Sequence, residues 1–295
     1  EVLIKVVASG VNRADLLQRQ GYYPPPPGIS EVIGLEVSGT IASVGEGVDA
    51  WKPGDPCVAL LAGGGYAEYV AVPSGQVIAP PQGVDLVTAA GLIEVAATVL
   101  SNFDHVRLAP GEIVLIHGGT GGIGSFAIQY AKALGATVLT TAGSPAKLEL
   151  CREYGADYAF DYHDDWAAAV ADATKGRGVD VILDIMGAKY LEANVASLAL
   201  DGRLVVIGLQ GGRKGTLDLN RLLTRRATVT ATSLRFRPVG QKAAICTAVA
   251  ERVWPLIGSG VIRPAPETRF GLDDVAAAHR HLESGDNIGK VLLVG

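Results

Sequence analysis

Cysteine is scarce in this chain: Cys57, Cys151 and Cys246 are the only three among 295 residues, far apart and outside any Cys-x-x-Cys spacing. Neither a disulfide framework nor a four-thiolate zinc site can be built from them, so buried, inert thiols are expected. Positive charge is not in excess either. The net charge of -5 and the absence of any run of like charge exclude a basic nucleic-acid footprint and a polybasic membrane patch. No uninterrupted apolar stretch approaches the roughly 20 residues that span a bilayer, and no signal-peptide pattern opens the chain, which points to a cytoplasmic protein. Internal repeats and low-complexity segments are lacking, and the prolines of 24–27 make a stiff loop rather than a tail. A Gly-x-Ser-x-Gly elbow is missing too, so a Ser-His-Asp hydrolase has no nucleophile turn. Glu1-Val2-Leu3-Ile4-Lys5-Val6 already reads as a strand with no methionine before it, so a further N-terminal piece is expected.

What the chain has is apolar mass and glycine. With 48% hydrophobic and 19% charged residues it can bury a sizeable core, in one large or two moderate domains. Small-molecule chemistry is the expectation. The most informative stretch is Val114-Leu115-Ile116-His117-Gly118-Gly119-Thr120-Gly121-Gly122-Ile123-Gly124, an apolar run feeding into a Gly-x-Gly-x-x-Gly motif formed by Gly119, Gly121 and Gly124. Each glycine meets a separate need of a dinucleotide site: a tight turn, close backbone approach to pyrophosphate, and tight packing of helix on strand. Alone the motif is weak evidence, since a glycine-rich loop can exist without a ligand. Here a β-branched run precedes it and the helix-period segment 126–134 follows and stops at Gly135. Thr137-Val138-Leu139-Thr140-Thr141 then supplies the second strand of a β-α-β unit.

Three stretches follow from the pattern. Residues 1–92 show short alternating or β-branched runs broken by Gly and Pro, such as 37–44 and 66–72, as in a barrel-like β domain. Residues 93–264 alternate strands with helical segments, predicting a doubly wound parallel sheet with strands at 113–116, 137–141, 158–160, 179–184, 203–207 and 227–233. Residues 265–295 offer a helix at 272–282 and a closing strand at 289–294, and are expected to return to the first domain.

Choice between the two nicotinamide cofactors turns on the end of the second strand, where an NAD enzyme places a carboxylate about 20 residues past the glycine loop. Thr141-Ala142-Gly143-Ser144 has none. Ser144 reads as an N-cap, Pro145 as the first helical residue, and Lys147 falls in the first turn, where a cation opposes the helix dipole. A phosphate at that helix end would reverse the penalty, so Ser144 and Lys147 are candidates for a 2′-phosphate and NADPH is the expected cofactor. The bland alternative is a solvated Lys147 near Glu149 and Glu153.

Gly10-Val11-Asn12-Arg13-Ala14-Asp15, Gly21-Tyr22-Tyr23-Pro24-Pro25-Pro26, Gly34-Leu35-Glu36-Val37-Ser38-Gly39, the glycine loop and Asn287-Ile288-Gly289-Lys290 together resemble the zinc-independent quinone oxidoreductases of the medium-chain dehydrogenase/reductase superfamily, most of all their p53-inducible branch. The resemblance covers the whole chain. It implies an α/β protein with a GroES-like β-rich catalytic domain built from both chain ends, a Rossmann domain between, and a cofactor cleft where they meet. It adds Gly143 and Tyr162 as contacts of the adenosine phosphate, Gly122 and Ile123 beside the pyrophosphate, Thr98 beside the nicotinamide, and Leu209, Gln210, Leu234, Arg235, Asn287 and Lys290 as further cofactor contacts. Zinc-bearing members carry Cys where Asn12 stands and His where Leu35 stands. Zinc needs about three converging ligands, so no metal is expected, and Glu36 reads as serving the fold. Relatives often have a tyrosine at Leu17 and a proline at Ile93, which leaves the shape of the substrate pocket open.

Hydride chemistry asks little of the protein beyond orientation, electrostatics and a dry site. Asn12, with an amide that both donates and accepts, could orient the carboxamide or the substrate oxygen. Tyr23 could donate its phenol or pack as a wall, with wall the better reading. His117 reads as a structural hydrogen-bonder; His105, His163, His279 and His281 have no partner nameable from the sequence. Three functions remain: NADPH-dependent quinone reduction, reduction of an activated carbon–carbon double bond, and a binding role such as RNA, which the acidic charge disfavours. The β-prone 227–234 segment should end the Rossmann sheet, and pairing with its copy across a twofold axis would cover that edge in a homodimer.

Overall fold

The computed structural model describes all residues, 1–295, with no cis peptide bond. Thirteen strands run in chain order: β1 (Val2–Val11), β2 (Glu36–Val44), β3 (Pro56–Leu60), β4 (Tyr69–Val72), β5 (Val77–Ile78), β6 (Ile113–His117), β7 (Thr137–Ala142), β8 (Tyr158–Asp161), β9 (Val179–Asp184), β10 (Leu198–Val206), β11 (Thr228–Ala231), β12 (Glu267–Gly271) and β13 (Lys290–Val294). They form two sheets in two compact units, residues 1–100 with 234–295, and residues 101–233.

The first unit holds a seven-stranded sheet ordered β12-β13-β1-β2-β3-β5, with β4 also on β1. Both chain ends meet in it: β1 pairs antiparallel with β13, Gly10 opposite Leu292 and Val11 opposite Val291. Alternation along these strands turns Val2, Ile4, Val37, Ile41, Cys57, Ala59, Val70 and Val72 into one apolar core. A second cluster, Val11, Leu16, Ala278, Val291 and Leu293, packs the C-terminal helix Val275–Glu283 and the short helix Arg13–Arg19 onto β13 and β1.

The second unit is a six-stranded parallel sheet ordered β11-β10-β9-β6-β7-β8. The order reverses at β6, so the connections after β6 and β9 leave in opposite directions, which is the switch point where doubly wound sheets bind ligands. Leu115, Leu139, Ile182, Leu198 and Leu204 are wholly or almost wholly buried between the helices, each worth about 1.5–3 kcal/mol relative to an exposed side chain. All six expected strands are present, shifted by a residue or two, except that β10 begins at Leu198. β11 is an end strand bonded only to β10.

Chain compactness divides the protein at 100/101 and 233/234, where the sequence pattern changed at 92/93 and 264/265. The physical reason for the second shift is Val239–Arg252, a helix that belongs to the first unit: Ala243 faces Gly75 closely, Cys246 reaches the Gln76 carbonyl, and Trp254 just beyond donates its indole N–H to the Ala79 carbonyl at 2.7 Å. A helix after a Rossmann strand looks the same in sequence whichever unit it packs on. The helical run 86–105 has the length and apolarity of a membrane span, yet it is mostly buried within the fold. The three cysteines are free and buried.

Candidate active site

Two groups of functional side chains are organised, one in each unit. In the second unit the glycine loop leaves β6 at Gly118, whose φ of +76° demands glycine. A Cβ on Gly119 would lie 2.6 Å from the Cys151 sulfur, and one on Gly124 would lie 2.7 Å from the Gly119 Cα; both glycines are required by the protein's own packing. Gly121 is different. Its φ of -73° suits any residue, and a Cβ there would meet nothing nearer than the Gly118 carbonyl at 3.7 Å. Neither the turn nor the packing explains it, so the cradle it leaves open fits a ligand that approaches the backbone. Gly121 caps the helix Gly122–Ala133, whose first-turn amides at Gly122 and Ile123 have no partner within the helix, as helix geometry requires. That is an anion-binding end.

Beside it, at the end of β7, Ser144 caps the helix Pro145–Glu153, its hydroxyl accepting from the Lys147 amide at 3.3 Å. The tyrosine ring of Tyr162, nearly half exposed, lies against Gly143 so tightly that a Cβ would come within 2.8 Å of its Cε1. Gly143, Ser144, Lys147 and Tyr162 are thus gathered at one strand end with no carboxylate among them. Leu209 and Gln210 stand exposed after β10. Behind the loop, His117 is buried, its Nε2 2.7 Å from Asn194 Oδ1 and its Nδ1 3.1 Å from Thr141 Oγ1, with edge-on contacts to Trp166 and Tyr190. Burial pushes its pKa down to about 4, so it is neutral at neutral pH and structural, as expected.

In the first unit a buried polar cluster surrounds Asn12, the residue preceding helix Arg13–Arg19. Lys290 Nζ lies 2.7 Å from Glu36 Oε1 and 2.9 Å from Asn12 Oδ1; Asn12 Nδ2 returns to Glu36 Oε1 at 2.9 Å and reaches the Gly10 carbonyl at 3.4 Å. Glu36 Oε2 accepts the Glu94 amide at 3.0 Å, and Glu94 Oε1 accepts from Thr98 at 3.1 Å. Asp15 accepts from the Asn12 amide at 2.7 Å and from the Tyr66 hydroxyl at 3.0 Å, and Tyr66 in turn meets His279, which meets Arg19. Complete burial, opposed by these hydrogen bonds, pushes Asp15 up to about 7; burial and then the Glu36 charge push Glu94 up to about 7.

Other expected site residues also lie in this unit. Tyr23 packs edge-on against Phe236, ring centroids 5.4 Å apart, with the Arg235 guanidinium 5.2 Å over its ring. Arg235 is 3% exposed and binds the Ala62 carbonyl, the Tyr23 carbonyl and Gln18 Oε1 at 2.7 to 2.9 Å, so it acts as a clamp on the Tyr23 loop. Leu234 beside it is half-buried. Asn287 donates to the Gly289 carbonyl at 3.1 Å while its buried Oδ1 meets no donor in the protein, an orphan that an amide donor of a ligand would satisfy. The sequence pattern assigned no role to Asp15, Tyr66 and Glu94 and no partner to His279, which meets Tyr66 and Arg19; for Glu94 the available signal was a carboxylate set between apolar neighbours, Ile93-Glu94-Val95.

The chain matches the zinc-binding dehydrogenase family over residues 122–245 and the alcohol dehydrogenase GroES-like domain over residues 1–82. It is 31% identical to the quinone oxidoreductase of Rattus norvegicus over 303 residues, covering all of this chain and 89% of that one. The chain belongs to the medium-chain dehydrogenase/reductase superfamily and is quinone oxidoreductase-like. Among solved members of this superfamily, a mycobacterial protein complexed with NADPH superposes with TM-score 0.90 at 34% identity, and Escherichia coli quinone oxidoreductase complexed with NADPH with TM-score 0.89 at 28%; this chain is covered fully and each of those chains to 91%. It is also 30% identical to part of a phenolphthiocerol/phthiocerol polyketide synthase of Mycobacterium tuberculosis, of whose length it spans 13%.

Proposed function

We propose that this superfamily member is an NADPH-dependent quinone oxidoreductase. The observation that carries the reading is Gly121, a glycine that neither backbone conformation nor packing requires, set at a helix N-terminus beside a strand end without a carboxylate. These residues fit the pyrophosphate and the 2′-phosphate of NADPH, and the similarity to two NADPH complexes supports the same cofactor. Gly119, Gly121, Gly122, Ile123 and Gly124 would hold the pyrophosphate through backbone amides; Ser144, Lys147 and Tyr162, with Gly143 making room, would hold the 2′-phosphate. Thr98 and the orphan oxygen of Asn287 would orient the carboxamide, with Leu209, Gln210 and Leu234 as flanking contacts. NADPH, when bound, supplies the hydride.

The rest of the work falls to the chain. Tyr23, braced by Arg235 and Phe236, forms an aromatic wall suited to a planar quinone such as an ortho-quinone. Zinc does not fit the residues present: the Lys290 ammonium stands 2.7 Å from the Glu36 carboxylate, Asn12 offers only an amide, and no three His, Cys, Asp or Glu side chains are grouped as ligands. The motifs around Tyr22 and Asn12 support the p53-inducible branch. The position of β11 as an end strand bonded only to β10 supports a homodimer through the Rossmann sheet, which sedimentation should detect as a species of twice 30.5 kDa.

A second reading, reduction of an activated carbon–carbon double bond, is favoured by the similarity to a polyketide synthase. Steady-state oxidation of NADPH against 9,10-phenanthrenequinone, 1,4-benzoquinone and a simple enone decides between them. Faster turnover of the quinones supports the first reading, and turnover of the enone alone supports the second. Failure of the protein to quench or shift NADPH fluorescence would remove both.

A further inference from the structure

An ammonium has three N–H bonds, and Lys290 has two protein acceptors, Glu36 Oε1 and Asn12 Oδ1. Its side chain is 8% exposed and that of Glu36 is 0% exposed. A charged N–H left without an acceptor in a buried site is costly, so the missing acceptor points to an oxygen that arrives with a ligand. The fold is cut to receive this pair: a Cβ on Gly10 would lie 2.8 Å from Glu36 Cγ, and one on Gly91 would lie 3.1 Å from Lys290 Cε and 3.0 Å from Leu292 Cδ2. Glu36 is held in turn by the Glu94 amide, and Asn12 spends its amide hydrogens on Glu36 and Gly10. The one donor of the cluster that remains free is therefore on Lys290, not on Asn12. The two nearest further carboxyls, Asp15 and Glu94, are hydrogen-bonded to Tyr66 and Thr98 rather than to the ammonium.

We propose that Lys290 is a catalytic residue that donates its third N–H to the carbonyl oxygen of the substrate, with Asn12 and Glu36 as positioning residues that aim it. The proposal rests on the reading of the protein as a quinone reductase and deepens it by naming the group that polarises the substrate. Addition of a hydride to the conjugated system pushes an electron pair onto that carbonyl oxygen. Lys290 stabilises the developing charge through a charge-assisted hydrogen bond and keeps its own proton; water supplies the proton that completes the hydroxyl product. An enone would develop charge on the same kind of oxygen, so the role carries over to the second reading.

A purely structural ion pair and a catalytic ammonium respond oppositely when both charges are removed together. The double variant Lys290→Met/Glu36→Gln leaves no buried unpaired charge, and Gln can still accept from the Glu94 amide. We expect it to keep its melting temperature within a few degrees while kcat for quinone, measured at saturating NADPH, falls about 100-fold. A double variant with kcat within about threefold of wild type overturns the proposal. Should the double variant not fold, the wild-type protein decides: the carbonyl stretch of carbon-13-labelled 1,4-benzoquinone should move to lower frequency on binding, and an unshifted band overturns the proposal. Wild-type protein that turns over neither quinones nor enone refutes the function itself, whereas active wild type with an equally active double variant refutes only the role of Lys290.

Discussion

Tyr162 lies against Gly143 with no space for a side chain between them: a Cβ on Gly143 would overlap the phenol ring. The ring is nearly half exposed, so it is held over the end of β7 by a contact with a backbone rather than by burial. Gly143→Ala should push the ring away, leave the fold intact, and weaken NADPH binding about tenfold, or ~1.4 kcal/mol, in a fluorescence titration. Unchanged affinity would mean that Tyr162 does not border the nucleotide.

Lys147 sits in the first turn behind the Ser144 cap, where a cation is disfavoured unless an anion joins it. Lys147→Glu is expected to raise KM for NADPH at least tenfold more than KM for NADH. Equal changes for the two cofactors would contradict a 2′-phosphate site at this helix end.

Gly121 and Gly124 stand three residues apart and should fail in different ways. Gly124→Ala drives a methyl into the Gly118–Gly119 backbone and should cost about 1–3 kcal/mol of stability, the usual penalty of overpacking. Gly121→Ala meets no protein atom nearer than 3.7 Å, so its melting temperature should stay near wild type while NADPH affinity drops tenfold or more. Parallel loss of stability in both variants would remove the argument for an open cradle.

Tyr23 is expected to be a wall. Tyr23→Phe, which keeps the ring between Arg235 and Phe236, should leave kcat within about threefold, whereas proton donation by the phenol would make the loss about 100-fold or more. Tyr23→Ala should instead raise KM for bulky quinones.

His117 gives a pH dependence whose sign is determined by burial. Its pKa in the fold, about 4, lies below the 6.5 of an exposed histidine, so below pH 6.5 the unfolded chain takes up a proton that the folded one refuses. The stability contribution is complete above pH 6.5 and is lost as pH falls toward 4, by about 3 kcal/mol in all. Urea unfolding of wild type and His117→Asn at pH 7 and pH 4.5 should show the gap between them narrowing by about 2–3 kcal/mol. A gap independent of pH would show that His117 is not held neutral. Asp15 and Glu94, raised to about 7 by burial, act in the opposite sense, favouring the fold at low pH and losing that contribution as pH rises from about 4 toward 7, equally in both proteins.

The nucleotide half was legible because its signals are local. The glycine spacing, the strand before it, the Ser144-Pro145 helix start and the missing carboxylate all lie within about 30 residues, the length of a β-α-β unit. The strand positions followed from apolar runs for the same reason. Asn287, Lys290 and Asn12 could be proposed only through family likeness, and the bonds of Arg235 to Gln18 and the Tyr23 carbonyl, across more than 200 positions of sequence, have no signal in the local pattern.

Composition and local pattern by themselves settled that this chain makes an α/β protein with a glycine-lined turn at the first strand of a parallel sheet, because backbone conformation and hydrophobic period are properties of neighbouring residues. Only the tertiary structure decided that Asn12, Glu36 and Lys290 share hydrogen bonds, that Val239–Arg252 belongs with the N-terminal sheet, and that Gly121 alone of the motif glycines has no packing reason. Side-chain charge is paired, and space is filled, by residues that the pairing of β1 with β13 brings together from opposite ends of the chain. No spacing along the chain encodes such a meeting.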